Sequence, residues 1–236
     1  MPPIDLHDIA TVVSKLQSLE LRHVLIGGGS LRFVVDPRYR ATARPTMDID
    51  FAVEVDSLIA FSKLEDQLRK LGFQHDMRSG APRCRWLVEG IEVDILPTSP
   101  DAAEFGSKWF GIALDMSIPH QLKEGLFVNV ISPACLMATK LDAFFSRGSN
   151  DYYGSKDIED IVVLLEECSG LVAELESAPK ALRMRVADGL RRLLDTPAFL
   201  EAIPGHLSPE SPPQTHARVL QTANQIGGLR SQGTHL

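Results

Sequence analysis

The chain has 236 residues, of which 44% are hydrophobic and 23% are charged, an ordinary globular composition that can supply a sizeable core. Its formal net charge of −7 argues against a surface that mainly coats nucleic acid, because sequence-independent phosphate binding needs concentrated Lys and Arg; a local basic groove is still compatible with it. No stretch approaches the roughly 20 apolar residues of a membrane-spanning helix, and the first residues lack a signal-peptide pattern, so we expect a cytoplasmic protein without a membrane partner.

Helical and strand patterns alternate at the start of the chain. Apolar residues spaced by three and four predict a helix over Leu6–Leu19, and His23–Ile26 is typical of a short buried strand that runs into three glycines, residues 27–29. A second helix is predicted over Leu31–Val35. Alternating apolar and acidic residues predict a half-buried strand over Ile49–Val55.

The same alternation continues through the middle of the chain. A helix is predicted over Ser57–Leu71, with a glycine immediately after it. Two strands, Cys84–Val88 and Ile91–Leu96, are separated by Glu89-Gly90, which indicates a two-residue hairpin turn. A further strand is predicted over Leu126–Ile131. These patterns predict an α/β (α+β) core with a mixed sheet.

The character of the sequence changes at Ser132-Pro133, after which only helical patterns follow. They cover Ala134–Ser146, Lys156–Glu167, Leu171–Glu176 and Lys180–Leu194. We therefore expect an α/β core over residues 1–132 and a helical domain over residues 133–196. Residues 197–236 gain Pro, Gly and Ser, and we expect a loose or accessory tail there.

The strongest chemical signal is the pair of carboxylates in Asp48-Ile49-Asp50. Alternate residues of a strand face the same side, so both acids are predicted to project together. Their mutual repulsion is relieved by a cation, and Mg²⁺ prefers such oxygen ligands. An isolated Asp-x-Asp is more often a solvated edge strand, so the assignment of a metal site depends on the surrounding residues.

Three further features favour a site for a metal and a nucleotide. The glycine turn lies between a strand and a helix, where backbone N–H groups and the helix dipole favour phosphate. Asp94 lies inside a strongly apolar strand, where an unpaired carboxylate is costly. Arg44 and Thr46 immediately precede the acidic pair and could reach the same nucleotide.

Two other glycine motifs fit the sequence poorly. A Walker loop needs Gly-Lys followed by Ser or Thr, whereas Ser30 and Leu31 follow Gly29 here. A dinucleotide-binding turn needs a third small residue for close helix packing, and Arg32 stands at that position. The first reading fails, and the second is disfavoured.

The residues that carry these signals resemble a known family. Ile26-Gly-Gly-Gly-Ser-Leu31, Arg44-x-Thr46-x-Asp48-Ile-Asp50-Phe51 and Val93-Asp94-Ile95 resemble the AbiEii/AbiGii toxin branch of the DNA polymerase β nucleotidyltransferase superfamily. The resemblance covers about residues 20 to 166. In the helical half it is carried by Ser132-Pro133, Lys140-Leu-Asp-Ala143, Arg147 and Lys156-Asp157-Ile-Glu-Asp160.

This resemblance implies an enzyme that transfers a nucleoside monophosphate from an NTP to an acceptor, with two Mg²⁺ ions. Asp48 and Asp50 would hold one ion on the triphosphate, and Asp94 would join them on the second and could accept a proton. Lys140 would reach the triphosphate, and Asp157 would lie beside the site. The nucleotide contacts would include Gly27, Gly28, Gly29, Ser30, Arg44 and Thr46.

The acceptor is open at the level of the sequence. The resemblance implies tRNA, modified by the toxin of a toxin–antitoxin pair with a cognate antitoxin. One alternative is an adenylyltransferase of an aminoglycoside or a similar small molecule. Another is an inactive, antitoxin-like module that keeps the nucleotide pocket to hold a partner, which the presence of all three acids disfavours. The main basic concentration, Lys180 to Arg192, is a solvated helix face or an RNA contact.

Overall fold

The computed structural model describes residues 3–37, 45–99, 107–147, 150–208 and 210–229. These residues form two compact units that divide between Ser132 and Pro133, and a short segment that starts at Val34 belongs to the second unit. Within these ranges, no helix is long and apolar enough to cross a membrane.

The first unit contains a mixed sheet, which has seven strands among the described residues. In chain order they are β1 (His23–Ile26), β2 (Ile49–Val53), β3 (Gln74–His75), β4 (Arg85–Val88), β5 (Ile91–Pro97), β6 (Ile118–Lys123) and β7 (Leu126–Val130). Their order across the sheet is β3-β4-β5-β2-β1-β7-β6. The β1–β7 and β2–β5 pairs are parallel, and the remaining neighbours are antiparallel. The predicted mixed sheet is confirmed.

Helices of the first unit are α1 (Leu6–Leu16), α2 (Gly27–Val34), α3 (Leu58–Lys70) and α4 (Phe110–Asp115). Helix α1 begins with a capping box in which the side chains of Asp5 and Asp8 accept from each other's backbone N–H. Its residues Ile9, Val12, Val13 and Leu16 are fully buried, and the helix packs against β7. Helix α2 begins at Gly27, four residues earlier than predicted, so the glycines form its first turn.

The hairpin between β4 and β5 is confirmed. Glu89 and Gly90 both have positive φ, 51° and 82°, which matches the right-handed twist of the two strands. The two-residue turn aligns Val88 with Ile91 and therefore Arg85 with Asp94. This register determines which residue lies beside the third acid.

Three elements of the first unit have no counterpart in the sequence prediction: β3, β6 and α4. Strand β6 is mostly exposed, contains Pro119 and lies at the edge of the sheet, so it lacks the apolar alternation that identifies a half-buried strand. Its backbone pairing with β7 defines it instead. Strand β3 has two residues and α4 has six, both too short for a periodic pattern.

The second unit is helical. Its helices are α5 (Pro133–Arg147), α6 (Lys156–Glu167), α7 (Leu171–Ser177), α8 (Lys180–Leu194), α9 (Pro197–His206) and α10 (Thr215–Gly228). Helix α5 packs against α6 and α8, and α10 packs against α8 and α6. The four helices predicted in this part of the chain are therefore present.

The described residues after Pro197, 197–208 and 210–229, differ from the loose tail expected there. Helices α9 and α10 are ordered parts of the second unit, with Phe199, Ile203, Val219 and Ile226 fully buried. Their apolar residues recur at three- and four-residue spacing, and Pro197 stands at the start of α9, where its missing N–H costs no helix bond. Proline and glycine content masked this periodicity.

Candidate active site

Asp48 lies immediately before strand β2, and Asp50 is the second residue of that strand. Ile49 and Phe51 are fully buried, whereas Asp48 and Asp50 remain partly exposed, as expected for alternating residues of a half-buried strand. The apolar pair anchors the strand in the core.

The third acid lies on the neighbouring strand. Strand β5 runs parallel to β2 with Asp94 aligned to Asp50. Side chains alternate between the two faces along each strand, so aligned residues share a face of the sheet. Asp94 is 8% exposed, and burial of a carboxylate to this degree requires a partner of positive charge or hydrogen bonds.

Arg85 supplies that partner. Its Nε donates to Oδ1 of Asp94 at 2.8 Å and its Nη2 to Oδ2 at 2.9 Å, a two-pronged contact. The same Nη2 donates to Oδ2 of Asp48 at 2.6 Å, and Nη1 donates to Glu92 at 2.8 Å. The hydrogen bond to Asp94 is the main cause that raises the pKa of Arg85 above its ordinary value. One guanidinium therefore joins Asp48 and Asp94.

This arrangement bears on whether the acids suit a metal. Their carboxylate oxygens are the ligands that Mg²⁺ prefers, and those of Asp48 and Asp94 converge on one positively charged atom. Among the described residues, no group of three His, Cys, Asp or Glu side chains is arranged to hold a metal ion. The donor set thus has the chemistry that Mg²⁺ requires, and the guanidinium of Arg85 lies between two of its members.

The glycine turn lies directly against the acids. Gly27 has φ of +65°, and a Cβ there would lie 2.0 Å from Oδ2 of Asp50. The Asp50 carboxylate therefore packs on the bare backbone at the start of α2, and a larger residue at this position would displace it. Gly27 and Gly28 are partly exposed, so the first turn of the helix is reachable from solvent.

Ser30 and Thr46 have different surroundings. Ser30 is fully buried and its hydroxyl donates to the carbonyl of Gly27 at 2.7 Å, so it stabilises the start of α2. A Cβ at Gly29 would lie 3.8 Å from the methyl group of Thr46, and the Thr46 hydroxyl donates to Oδ1 of Asp48 at 3.3 Å. Thr46 thereby connects the glycine turn to the first acid.

Lys140 and Asp157 form part of a separate cluster in the second unit. Nζ of Lys140 lies 3.3 Å from Oδ1 of Asp157 and 2.5 Å from Oδ2 of Asp160. Asp160 is 1% exposed, so the lysine neutralises a carboxylate that water does not reach. Arg147 adds a longer contact, 3.7 Å, to Asp157.

The predicted site residues thus divide into three groups. The first unit brings together the largest group, comprising Gly27, Gly28, Gly29, Ser30, Thr46, Asp48, Asp50 and Asp94. The second unit pairs Lys140 with Asp157, and Arg44 lies outside the described residues. The sequence prediction did not include Arg85 or Asp160 in the site.

Cys84 lies immediately before β4, and the pKa of its thiol reflects the negative charges of this region. Burial, followed by the negative charge of Asp94, raises the pKa of its thiol to about 12, and Asp50 adds to the effect. Its thiol therefore stays protonated and is not a nucleophile at neutral pH.

The solved structures to which this chain is similar include three nucleotidyltransferase-related proteins. An antigenic nucleotidyltransferase-like protein from Paracoccidioides brasiliensis is 18% identical with a TM-score of 0.50, over 85% of this chain and 95% of that chain. The antibiotic-resistance factor ANT(2'')-Ia is 16% identical with a TM-score of 0.45, over 80% and 93%. A tRNA nucleotidyltransferase complexed with a primer tRNA and an incoming ATP analog is 16% identical with a TM-score of 0.29, over 82% and 58%.

The first of these similarities confirms the predicted nucleotidyltransferase-like fold. The other two TM-scores are too low to add to that assignment. No family model matches the chain, and no curated protein matches it either.

Proposed function

We propose that this chain is a Mg²⁺-dependent nucleotidyltransferase of the DNA polymerase β superfamily, which transfers a nucleoside monophosphate from an NTP to a hydroxyl group. The observation that carries the proposal is the convergence of Asp48 and Asp94 on a single cation position. Asp50 is aligned with Asp94 and rests on the glycine turn, so the acids and a phosphate-binding helix start adjoin.

Within this proposal, Asp48, Asp50 and Asp94 hold two Mg²⁺ ions. When bound, these ions neutralise charge on the phosphate groups and on the entering and leaving oxygens. The glycine turn binds phosphate through backbone N–H groups at the start of α2, with Gly27 and Gly28 the partly exposed members. Thr46 orients Asp48 through its hydroxyl.

In the reaction, the acceptor hydroxyl oxygen attacks the α-phosphorus of the NTP. The new P–O bond forms as the bond from the α-phosphorus to the bridging oxygen breaks, and pyrophosphate leaves with that electron pair. Asp94 accepts the proton of the hydroxyl group. For this role the guanidinium of Arg85 must release the Asp94 carboxylate, which it contacts at 2.8 and 2.9 Å.

The roles of Arg44, Lys140 and Asp157 as nucleotide contacts come from the sequence resemblance. Lys140 is a compact positive charge that suits a triphosphate, and in the second unit it neutralises Asp157 and Asp160. A change at Lys140 will therefore affect stability as well as activity, because a buried carboxylate loses its partner.

For the acceptor we propose tRNA, with the protein acting as the toxin of a toxin–antitoxin pair in the AbiEii/AbiGii branch and a cognate antitoxin as its partner. The support is the sequence resemblance over residues 20–166. RNA binding requires Arg and Lys that are available to phosphate groups. The sequence offers two sources, the cluster Arg38, Arg40 and Arg44 that precedes the acidic pair, and Lys180 to Arg192 on α8.

One observation favours a second candidate, transfer to a small hydroxylated acceptor such as an aminoglycoside. The arginines of α8 are engaged inside their own unit. Arg185 pairs with Asp142, Arg191 donates to the carbonyl of Gly227 at 2.6 Å, and Arg183 donates to the carbonyl of Glu176 at 3.0 Å. Phosphate contacts through this helix would have to replace these bonds.

The test uses NTPs labelled at the α-phosphate, with Mg²⁺ and either total tRNA or an aminoglycoside. Labelled RNA supports the first acceptor, and a labelled drug supports the second. The variant Asp48→Asn/Asp50→Asn should lose transfer to both, because two of the three carboxylates lose their charge. Asp66→Asn, at an exposed acid paired with Arg69 on α3, is the matched control and should retain activity. Full turnover by the double variant would refute the proposal.

A further inference from the structure

The second unit contains a large cavity of about 920 Å³. The end of α6, helix α7, helix α10 and residues 208 and 210–212 form its walls together with one residue of the segment after α2. All of these residues belong to the second unit. Its charged lining is strongly acidic, with five carboxylates and one guanidinium from Asp36, Glu166, Glu167, Glu176, Glu210 and Arg218.

Glu166 indicates which chemical group a ligand of this cavity would present. The residue is 8% exposed, and its Oε1 accepts a hydrogen bond from the hydroxyl of Ser211. Its other oxygen, Oε2, is buried and has no hydrogen-bond partner in the described part of the chain. A buried carboxylate oxygen without a donor costs free energy, so this position calls for a ligand with a positively charged N–H group.

The remaining walls indicate what else the ligand carries. Leu165, Val172, Ala173 and Pro212 contribute apolar surface between the acids. The volume is far larger than a single metal ion needs, so the cavity suits an organic cation with aliphatic carbon atoms. Five acids against one Arg favour a ligand with more than one positive charge.

We propose that this cavity is a binding site for a small aliphatic diamine. One ammonium group donates to Oε2 of Glu166, the aliphatic chain lies on the apolar wall, and the second ammonium group faces the other acids. This site goes beyond nucleotidyl transfer and does not depend on it, because none of its residues belongs to the proposed catalytic set.

The experiment is calorimetric titration of the full chain with 1,5-diaminopentane. The neutral isostere 1,5-pentanediol tests charge, and Mg²⁺ titrated into the Asp48→Asn/Asp50→Asn chain, which lacks two of the proposed catalytic metal ligands, tests a simple cation site in the cavity. We expect the diamine to bind and both controls to give no comparable heat. Glu166→Gln should weaken diamine binding at least about tenfold, equivalent to about 1.4 kcal/mol, because the ammonium group loses its charged hydrogen-bond acceptor.

Matched variants separate this site from general charge effects. Glu201→Gln, at an exposed acid of α9 outside the cavity, should leave binding unchanged. Glu176→Gln, at a second acid of the lining, should weaken binding by a smaller factor and provides a readout if Glu166→Gln fails to fold. The proposal is overturned if the wild-type chain does not bind the diamine, if the diol binds equally well, if Mg²⁺ binds equally well to the Asp48→Asn/Asp50→Asn chain, or if both lining variants bind as tightly as wild type.

Discussion

Arg85→Met tests the central feature of the candidate site, the guanidinium shared by its acids. The change removes four hydrogen bonds to Asp48, Glu92 and Asp94 and keeps most of the aliphatic volume. Removing one member of a buried ion pair costs about 3–5 kcal/mol. Because the side chains of Arg85 and Asp94 are 17% and 11% exposed, we expect the lower end, about 3 kcal/mol.

For a chain of this size, about 3 kcal/mol corresponds to a fall in Tm of about 6–12 °C. The measurement is thermal unfolding followed by circular dichroism in a buffer with EDTA. In millimolar Mg²⁺ the variant should recover much of this loss, since a ligand at 100 times its Kd contributes about 2.7 kcal/mol. Wild-type protein should gain less, because Mg²⁺ must displace its guanidinium.

The matched control is Arg22→Met, which removes an arginine that also contacts two acids, Glu54 and Asp115, but at the surface. The side chain of Arg22 is 51% exposed, so its loss should cost under about 1 kcal/mol and should not change the response to Mg²⁺. If Arg85→Met melts at the wild-type temperature in EDTA, or if Mg²⁺ stabilises wild type and variant equally, the shared cation position is refuted.

Two further predictions concern the glycine turn and the thiols. Gly27→Ala should abolish nucleotidyl transfer because its Cβ would displace the Asp50 carboxylate. Gly72 also has a positive φ, +88° against +65° at Gly27, but nothing lies within 4 Å of an added Cβ, so Gly72→Ala should cost backbone strain of about 1–3 kcal/mol and retain transfer. Equal activities of the two variants would contradict the proposed contact of Gly27 with Asp50. Burial raises the pKa values of Cys84 and Cys168 to about 12, so native protein at pH 8 should react with iodoacetamide at these positions only after unfolding. The contribution of these thiols to the free energy of unfolding should be present below the ordinary pKa of 9.0 and be lost as the pH rises toward 12. Rapid alkylation of the native protein at pH 8 would contradict the raised pKa values.

Local patterns predicted much of the fold. Strand β2, which follows Asp48 and contains Asp50, was identifiable because its apolar residues recur with the period of two that a half-buried strand imposes. The β4–β5 hairpin was identifiable because Glu89-Gly90 leaves two residues for the turn. Both signals arise within about ten residues of chain, where spacing alone determines which side chains share a face.

Other elements were not predicted because a regular spacing of apolar residues is either missing or obscured in their sequence. Strand β6 is mostly exposed, with no fully buried residue, and is defined by its pairing with β7, so its amino-acid pattern carries little burial signal. Helices α9 and α10 have that signal, in Phe199, Ile203 and Ile226, but it lies among proline and glycine residues that favour a disordered interpretation. Composition averages over a segment, whereas burial depends on a few positions within it.

The contacts of Arg85 could be predicted from the sequence only in part. The hairpin turn alone aligns Arg85 with Asp94, so half of its contact could be derived from the sequence. Its second contact, to Asp48, depends on the parallel pairing of β5 with β2, strands separated by more than thirty residues. Neighbouring carboxylates repel each other, so a cation between them is favourable whether it is a guanidinium group or a metal ion. Since one position between Asp48 and Asp94 can hold only one cation, the Mg²⁺ binding proposed for these acids would compete with Arg85 and would be coupled to movement of its side chain.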